Sequence, residues 1–129
     1  MFSTEIVVRG TKTTIYAITI GNKCEAREFI NEAVARDIRE ERKLIALLYR
    51  IVNEYGFFIR NREKFRHLGD EIWEIKSNQI RLLGFFEDEI SRKEFIITHG
   101  FIKKRNRTLR RDIDKAIRLR KRYFEKKEN

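Results

Sequence analysis

The amino-acid sequence predicts a protein of the α+β class, and three observations support this prediction. Two β-branched segments open the chain, and three strand-like segments lie close together between residues 71 and 103. Three further stretches carry apolar residues at the three-and-four spacing of a helix. The 129 residues, of which 41% are hydrophobic, suffice for one domain that buries a core without a disulfide or a metal.

The first half of the chain is predicted to form two strands and two helices. Residues Glu5–Arg9 and Lys12–Ile20 are β-branched and flank a Gly-Thr pair, which predicts a hairpin. Helical spacing follows over residues 25–36 and 38–55, and Gly56 stands where a C-cap belongs. Two helices are favoured because a single helix of 31 residues would exceed the usual length in globular proteins.

The second half is predicted to form an antiparallel meander and a final helix. Residues 60–68 are basic and irregular in pattern, which indicates a connector. The strands of the meander are expected over residues 71–76, 80–86 and 94–103. Thr108 is the predicted N-cap of a helix over about 109–125.

The charge of the chain is concentrated at one end. Residues 101–129 carry 13 basic and 4 acidic side chains, a net charge of +9, whereas residues 1–100 carry 17 and 16, a net charge of +1. Such a basic segment indicates a polyanionic partner, which can be a nucleic acid, the ribosome or an acidic protein. The alternative is a solvated basic helix. A membrane-surface helix is less favoured, because the last helix has only a thin apolar line.

Metal, cofactor and membrane sites are not expected. The single cysteine, Cys24, and the two histidines, His67 and His99, lack the spacing of a zinc site. The glycines occur singly and form no phosphate-binding loop, and no acidic run resembles a calcium loop. A Cys-His nucleophile is not favoured, since Cys24 lies in a polar, turn-like segment. No signal peptide or membrane span is evident, which predicts a cytoplasmic location.

The remaining candidate site is a cationic strand surface. Strand alternation places His99 on the same face as Phe95, Ile97, Phe101 and Lys103, and Arg81 on a face with Leu83 and Phe85. If these faces open near the strand ends, the cations can stabilise a phosphorane-like transition state. Phe101 could then stack on an unpaired base.

Each of these residues also has a structural interpretation. Arg81 can form a salt bridge with a carboxylate such as Glu74, and His99 can be a satisfied core histidine. Phe101 can belong to the core, and residues 103–105 can form a solvated turn. The residue pattern alone leaves both interpretations open.

Several short motifs, taken in order, resemble the RelE/ParE toxin superfamily, and more narrowly its HigB-like, phage-derived branch. They are EAREF at 25–29, LIALLYRIVNEYG at 44–56, NREKFRHLGDEIWEIK at 61–76, IRLLGFF at 80–86 and IITHGFIKK at 96–104, followed by a basic helix. The resemblance covers residues 25–125 of a single domain, and residues 1–24 precede it as two extended strands. Leu109 stands where the branch usually has a proline.

The resemblance implies a compact α+β fold in which an N-terminal helical pair packs on a twisted, mainly antiparallel sheet. It implies a toxin of a type II toxin–antitoxin system, neutralised by a cognate antitoxin that is often a helix-turn-helix protein. RelE-like and HigB-like members cleave mRNA on the ribosome without metal, through attack by the 2′-hydroxyl of the substrate. ParE-like members inhibit DNA gyrase instead. A non-catalytic RNA-binding module is the other alternative.

The resemblance also implies roles for individual residues. Arg81 matches a phosphate-contacting strand arginine, and Lys76 matches the basic residue that ends a Trp-Glu-Leu-Arg-like strand. The expected catalytic set is Lys76, Arg81, His99, Lys103 and Lys104. The expected RNA-binding set is Phe101, Arg105, Arg107, Arg110 and Arg111. No metal or cofactor is expected.

Overall fold

The computed structural model describes residues 1–104 and 109–128, and the strands of this part form one six-stranded sheet. The strands are β1 (Phe2–Arg9), β2 (Thr14–Ile20), β3 (Phe65–Gly69), β4 (Ile72–Ser77), β5 (Ile80–Phe86) and β6 (Glu94–Ile102). Their spatial order is β1-β2-β6-β5-β4-β3. Strands β2 and β6 are parallel, and the other neighbouring pairs are antiparallel. The predicted hairpin and meander are confirmed.

Three helical elements complete the fold. Helix α1 covers residues 25–36 as an α turn, a π turn and a 3₁₀ turn, and helix α2 covers 38–55 with a π turn at its end. Helix α3 is Leu109–Glu128. The prediction of two helices in the first half is therefore confirmed. The predicted N-cap Thr108 lies outside the described residues.

Two residues set the limits of α2. Asp37 is extended, and its carboxylate accepts hydrogen bonds from the N–H groups of Arg39 at 3.0 Å and Glu40 at 3.3 Å. These bonds satisfy donors that an N-terminal turn would otherwise leave open. Gly56 ends α2 with a φ of +60°, and its N–H donates to the Ile51 carbonyl at 2.8 Å. A left-handed residue costs glycine little, so the predicted C-cap is confirmed.

The sheet separates two apolar cores. Helices α1 and α2 cover one face, where Leu44 and Leu48 pack with Ile15 and Leu82. Helix α3 covers the opposite face, where Ile113 and Ala116 pack with Leu83 and Phe85, among others. This arrangement confirms the α+β class, with helices on both faces of a mainly antiparallel sheet.

The predicted connector at residues 60–68 contains a strand, so that part of the prediction is wrong. Strand β3 pairs antiparallel with β4, with Phe65 opposite Ile75 and His67 opposite Trp73. It lies at the edge of the sheet, where polar side chains are tolerated and the apolar alternation of a central strand is not required. A bulge between His67 and Gly69 weakens the pattern further.

A second bulge changes the face of the residues in β6. Leu83 pairs with His99, but the next residue of β5, Gly84, pairs with Ile97, so Thr98 is an extra residue. Phe95 and Ile97 consequently belong to the core under α1 and α2. His99 and Phe101 face α3 instead. The prediction that these four residues share a face is therefore wrong.

None of the helices within residues 1–104 and 109–128 combines the length and the apolar character that crossing a bilayer needs.

Candidate nucleic-acid interface

Three adjacent strands align predicted site residues on the sheet face that α3 covers. Lys76 of β4 lies opposite Arg81 of β5, and Arg81 lies opposite Phe101 of β6. Lys103 follows β6, and its N–H donates to the Gln79 carbonyl at 2.7 Å. We call Lys76, Arg81 and Lys103 the cationic row. It lies at the end of the sheet beside the β4–β5 turn.

Arg81 is buried, with 6% of its surface exposed, and it is held from two sides. Its Nη1 donates to the carbonyls of Asn78 and Ile80, which fixes the turn before its own strand. Its Nε lies 3.8 Å from Glu74 Oε2. The salt bridge with Glu74, which the sequence left open as an alternative, is therefore present.

Glu74 is fully buried and also holds a second arginine. Arg66 on the neighbouring edge strand donates from Nη2 to Glu74 Oε1 at 3.2 Å. Glu74 Oε2 accepts no hydrogen bond from residues 1–104 or 109–128, and the Arg81 guanidinium at 3.8 Å is the nearby charge that balances it. Lys76 therefore lies in the field of three further cations (Arg66, Arg81 and Lys103) and of the Glu74 carboxylate, and the five groups carry a net charge of +3 when Lys76 is protonated.

Lys76 is half-buried among these cations. Burial lowers the pKa of its ammonium, and the positive charges of Arg81, Arg66 and Lys103 lower it further against the opposing effect of Glu74. A lysine with a depressed pKa holds more neutral amine near pH 7 than an ordinary lysine. The direction of the shift favours release of the ammonium proton of Lys76.

His99 lies in a buried hydrogen-bonded chain between the sheet and α3. Its Nε2 is 3.2 Å from Asp112 Oδ1, and its Nδ1 is 2.9 Å from the Thr98 hydroxyl. Burial and the charge of Lys115 lower the pKa of His99, although Asp112 opposes the shift. In the neutral imidazole Nε2–H can donate to Asp112, whereas the Thr98 hydroxyl is shared between His99 Nδ1 and the Leu83 carbonyl, which accepts from it at 3.2 Å. His99 therefore anchors the first turn of α3.

Phe101 lies in the core beneath α3, with 5% of its surface exposed. Its ring centre is 6.2 Å from that of His99, and it packs in the cluster that contains Ile113. In this conformation the ring contacts the core, which is the structural interpretation left open by the sequence.

The other predicted residues are exposed cations. Lys103 and Lys104 are exposed at the end of β6, and Arg110 and Arg111 are exposed on the first turn of α3. Arg110 is partly neutralised, because its guanidinium contacts the Asp114 carboxylate at 2.6 Å. The two remaining predicted RNA-binding residues, Arg105 and Arg107, lie outside the described residues.

Sequence reasoning missed Arg66 and Asp112 as parts of this region. Arg66 was assigned to an irregular connector, and no local pattern indicates that it pairs with Glu74. Asp112 lies 13 residues after His99, and only the docking of α3 brings the two together. His99 and Glu74 each lie within a strand of apolar residues. A polar side chain in such a strand needs a buried partner, and this is the signal that could have predicted one.

No group of three or more His, Cys, Asp or Glu side chains within residues 1–104 and 109–128 is arranged to hold a metal ion. The functional groups that the described part of this surface offers to a ligand are cations, the amine of Lys76 and hydrogen-bond donors.

The chain matches a known protein family. The family described as phage-derived protein Gp49-like matches residues 32–121, which is 90 of the 129 residues. The match runs from the end of α1 into α3 and includes the whole cationic row, whereas β1 and β2 precede it. No curated protein matches the chain.

Proposed function

The chain belongs to the phage-derived Gp49-like family, which falls within the RelE/HigB-type toxin superfamily, and from this premise we propose that it is a HigB-like toxin that cleaves mRNA on the ribosome. The observation that carries the proposal is the cationic row, where Lys76, Arg81 and Lys103 lie on neighbouring strands beside the β4–β5 turn and the surrounding cations help to lower the pKa of Lys76. The family suggests a toxin–antitoxin module. A cognate antitoxin, of the helix-turn-helix type, and a cytoplasmic location belong to the same proposal.

Cleavage in this proposal uses the 2′-hydroxyl of the RNA as the nucleophile. The neutral amine of Lys76 accepts the hydroxyl proton as the bond from O2′ to phosphorus forms. The bond from phosphorus to O5′ breaks, and O5′ takes up a proton from solvent or from the Lys76 ammonium. The products are a 2′,3′-cyclic phosphate and a 5′-hydroxyl. Lys103 and Lys104 stabilise the charge that builds on the phosphoryl oxygens.

The other predicted residues act indirectly in this scheme. Arg81 fixes the β4–β5 turn through Asn78 and contributes positive charge to the row. His99 is a positioning residue, because it ties the first turn of α3 to the sheet through Asp112.

Primer extension on mRNA from cells that express the chain tests the proposal. Lys76→Ala is expected to lower cleavage at least a hundredfold, since loss of a general base typically costs that much. Lys76→Arg should not restore cleavage, because a guanidinium stays protonated at neutral pH. Lys93→Ala removes an exposed lysine outside the row and is the matched control. A folded Lys76→Ala protein that cleaves normally contradicts the role of Lys76.

The burial of Arg81, His99 and Phe101 favours a second candidate, a non-catalytic RNA-binding module. That protein would bind RNA and leave mRNA intact. Pulse labelling separates both candidates from a gyrase inhibitor. Incorporation of an amino acid falls first for a toxin that acts on translation, whereas incorporation of thymidine falls first for a gyrase inhibitor.

A further inference from the structure

A groove of about 860 Å³ lies between α2, the segment over residues 56–64 that connects α2 to β3, and the β4–β5 turn. We call it the connector groove. Four basic and two aromatic side chains dominate its lining, namely Lys43, Arg50, Arg60, Lys64, Tyr55 and Phe58. None of the lining residues in the described part of the chain is acidic.

The aromatic side chains of the groove are unusually open to solvent. Phe58 is 65% exposed and Tyr55 is 40% exposed, although burial of such rings normally stabilises a fold. The guanidinium of Arg92 lies 5.1 Å from the centre of the Phe58 ring, which is the range of a cation–π contact. This contact holds the ring in place while most of its surface remains available to a ligand.

The cations of the groove are mostly uncompensated. Lys43 lies 3.8 Å from Glu40, but Arg50, Arg60 and Lys64 form no ion pair with any residue in 1–104 or 109–128. Exposed rings next to unpaired cations are the combination that single-stranded nucleic acids use, since bases stack and phosphates pair with charge. A duplex would not offer its base faces to these rings.

The groove adjoins the cationic row at one end of the sheet through two contacts to backbone carbonyls. Asn78 lines the groove, and its carbonyl accepts a hydrogen bond from Arg81. Lys64 lines the groove as well, and its carbonyl accepts from the N–H of Lys76 at 2.8 Å. A strand that crosses the row can therefore pass over the β4–β5 turn and enter the groove.

We propose that the connector groove binds the single-stranded RNA next to the bond that is cleaved, with a base on Phe58 and phosphates on the groove cations. This inference rests on the proposed function, because it takes the strand in the groove to be the one that the cationic row cleaves. It adds a substrate-binding site on the opposite side of the sheet.

Binding of a fluorescein-labelled oligoribonucleotide to the full chain, followed by anisotropy, tests the inference. All of its riboses carry 2′-O-methyl groups, so the RNA lacks the attacking hydroxyl. Phe58→Leu is expected to weaken binding roughly tenfold, as loss of one stacked base does. The matched control is Tyr49→Leu, because Tyr49 is 53% exposed on α2 outside the groove.

The salt dependence of RNA affinity and the effect of an abasic position test the charge contacts and the base contact separately. Arg50→Ala should reduce the slope of log affinity against log salt by about 0.7, the value for one phosphate on a single strand. Arg42→Ala, which removes an exposed arginine of α2 outside the groove, should leave the slope unchanged. An abasic position in the RNA should weaken binding to the wild type but not to Phe58→Leu. Thermal unfolding checks that each variant is folded.

The outcomes separate the groove from the proposed function. Equal RNA binding by Phe58→Leu and Tyr49→Leu contradicts RNA binding in the connector groove. This holds even if Lys76→Ala abolishes cleavage and the proposed function is supported. If Phe58→Leu loses RNA binding and the wild type does not cleave mRNA, RNA binding in the connector groove is supported and the endoribonuclease function is contradicted. A polyglutamate peptide that displaces the RNA and itself depends on Phe58 would assign the groove to an acidic protein and overturn the inference.

Discussion

Glu74 is the residue on which the charges of the candidate site depend. Its buried carboxylate lies between Arg66 and Arg81, and without it the guanidinium groups would repel each other and the neighbouring Lys76. A buried carboxylate also carries a large desolvation cost, which the two arginines offset only while both are present. The three charged side chains therefore stabilise the fold together, and removing any one of them should lower the free energy of unfolding.

Arg81→Ala should destabilise the protein as well as reduce its activity. Removing one partner of a buried ion pair typically costs about 3 kcal/mol, because the other charge stays buried. Urea unfolding of the purified variant measures this loss. Adding Glu74→Gln to Arg81→Ala should recover part of the stability, since the uncompensated charge is then gone. A singly substituted protein as stable as the wild type would mean that the Glu74 contact contributes little.

His99 should make stability depend on pH in the range just below neutrality. Its pKa is lowered in the folded state, so the unfolded chain binds a proton more readily as the pH falls below about 6.5. Stability is then fully present above that pH and decreases as the pH drops. The urea midpoint should fall between pH 7.5 and 5.5, and it should fall less in His99→Gln.

The other histidine provides the control for this experiment. His67 is exposed on the edge strand β3, and His67→Gln is the matched substitution at the second histidine of the chain. An unchanged pH dependence in His99→Gln would assign the effect to other groups. Asp112, Lys115 and Glu25 are the charged residues whose fields act on the imidazole.

At the scale of elements, the break between α1 and α2 depends on one side chain. Asp37→Ala should lower the free energy of unfolding by about 1 kcal/mol, because two N–H groups at the start of α2 lose their acceptor. Circular dichroism during urea unfolding measures the change. Asp37→Ser keeps a capping oxygen and should remain near the wild type. Equal loss in both variants would show that the cap is not the cause.

Local signals explain which elements could be predicted. The apolar spacing of α2 and the glycine at its end lie within one stretch of sequence, and both were predicted correctly. The bulge at Thr98 was not predictable, because strict alternation is the only pattern that a strand sequence shows. The pairing of β2 with β6 was not predictable either, since it joins segments far apart in the chain.

The sequence predicts which residues of the candidate site lie close together better than it predicts which of them are buried. Lys76, Arg81 and Lys103 come together as neighbours of one turn, which the closeness of the strands along the sequence suggests. His99 and Phe101 remain on the face of Arg81 because the bulge precedes them. They are buried because α3 packs on this face, and the sequence of the strand alone does not indicate that long-range contact.

At the scale of the whole molecule, much of the basic charge of α3 is used within the protein. Ion pairs in the described structure join Arg110, Lys115, Arg120, Lys121 and Lys127 to carboxylates. The basic residues from 101 to 128 that lack an ion pair within the described part are Lys103, Lys104, Arg111, Arg118, Arg122 and Lys126. A polyanion can contact these six without breaking an internal pair.

Binding to ribosomes should therefore depend strongly on salt. If about six cations contact phosphates, affinity should fall roughly 300-fold between 50 and 200 mM salt on the scaling for single strands. Sedimentation of the protein with ribosomes measures this. Arg118→Ala and Arg122→Ala should each reduce the slope, whereas Lys93→Ala should not. Affinity that stays constant over this range would exclude the basic segment as the docking surface.

The parallel pairing of β2 with β6 has a consequence for synthesis of the chain. Thr14 pairs with Glu94, 80 residues later, so β2 has no partner on its inner edge until β6 has been translated. At about 5–20 residues per second this interval lasts roughly 4 to 16 seconds. During that time the hairpin exposes an open strand edge, the state most prone to pair with other chains. The speed of translation thus helps to decide how much of this protein reaches its native state.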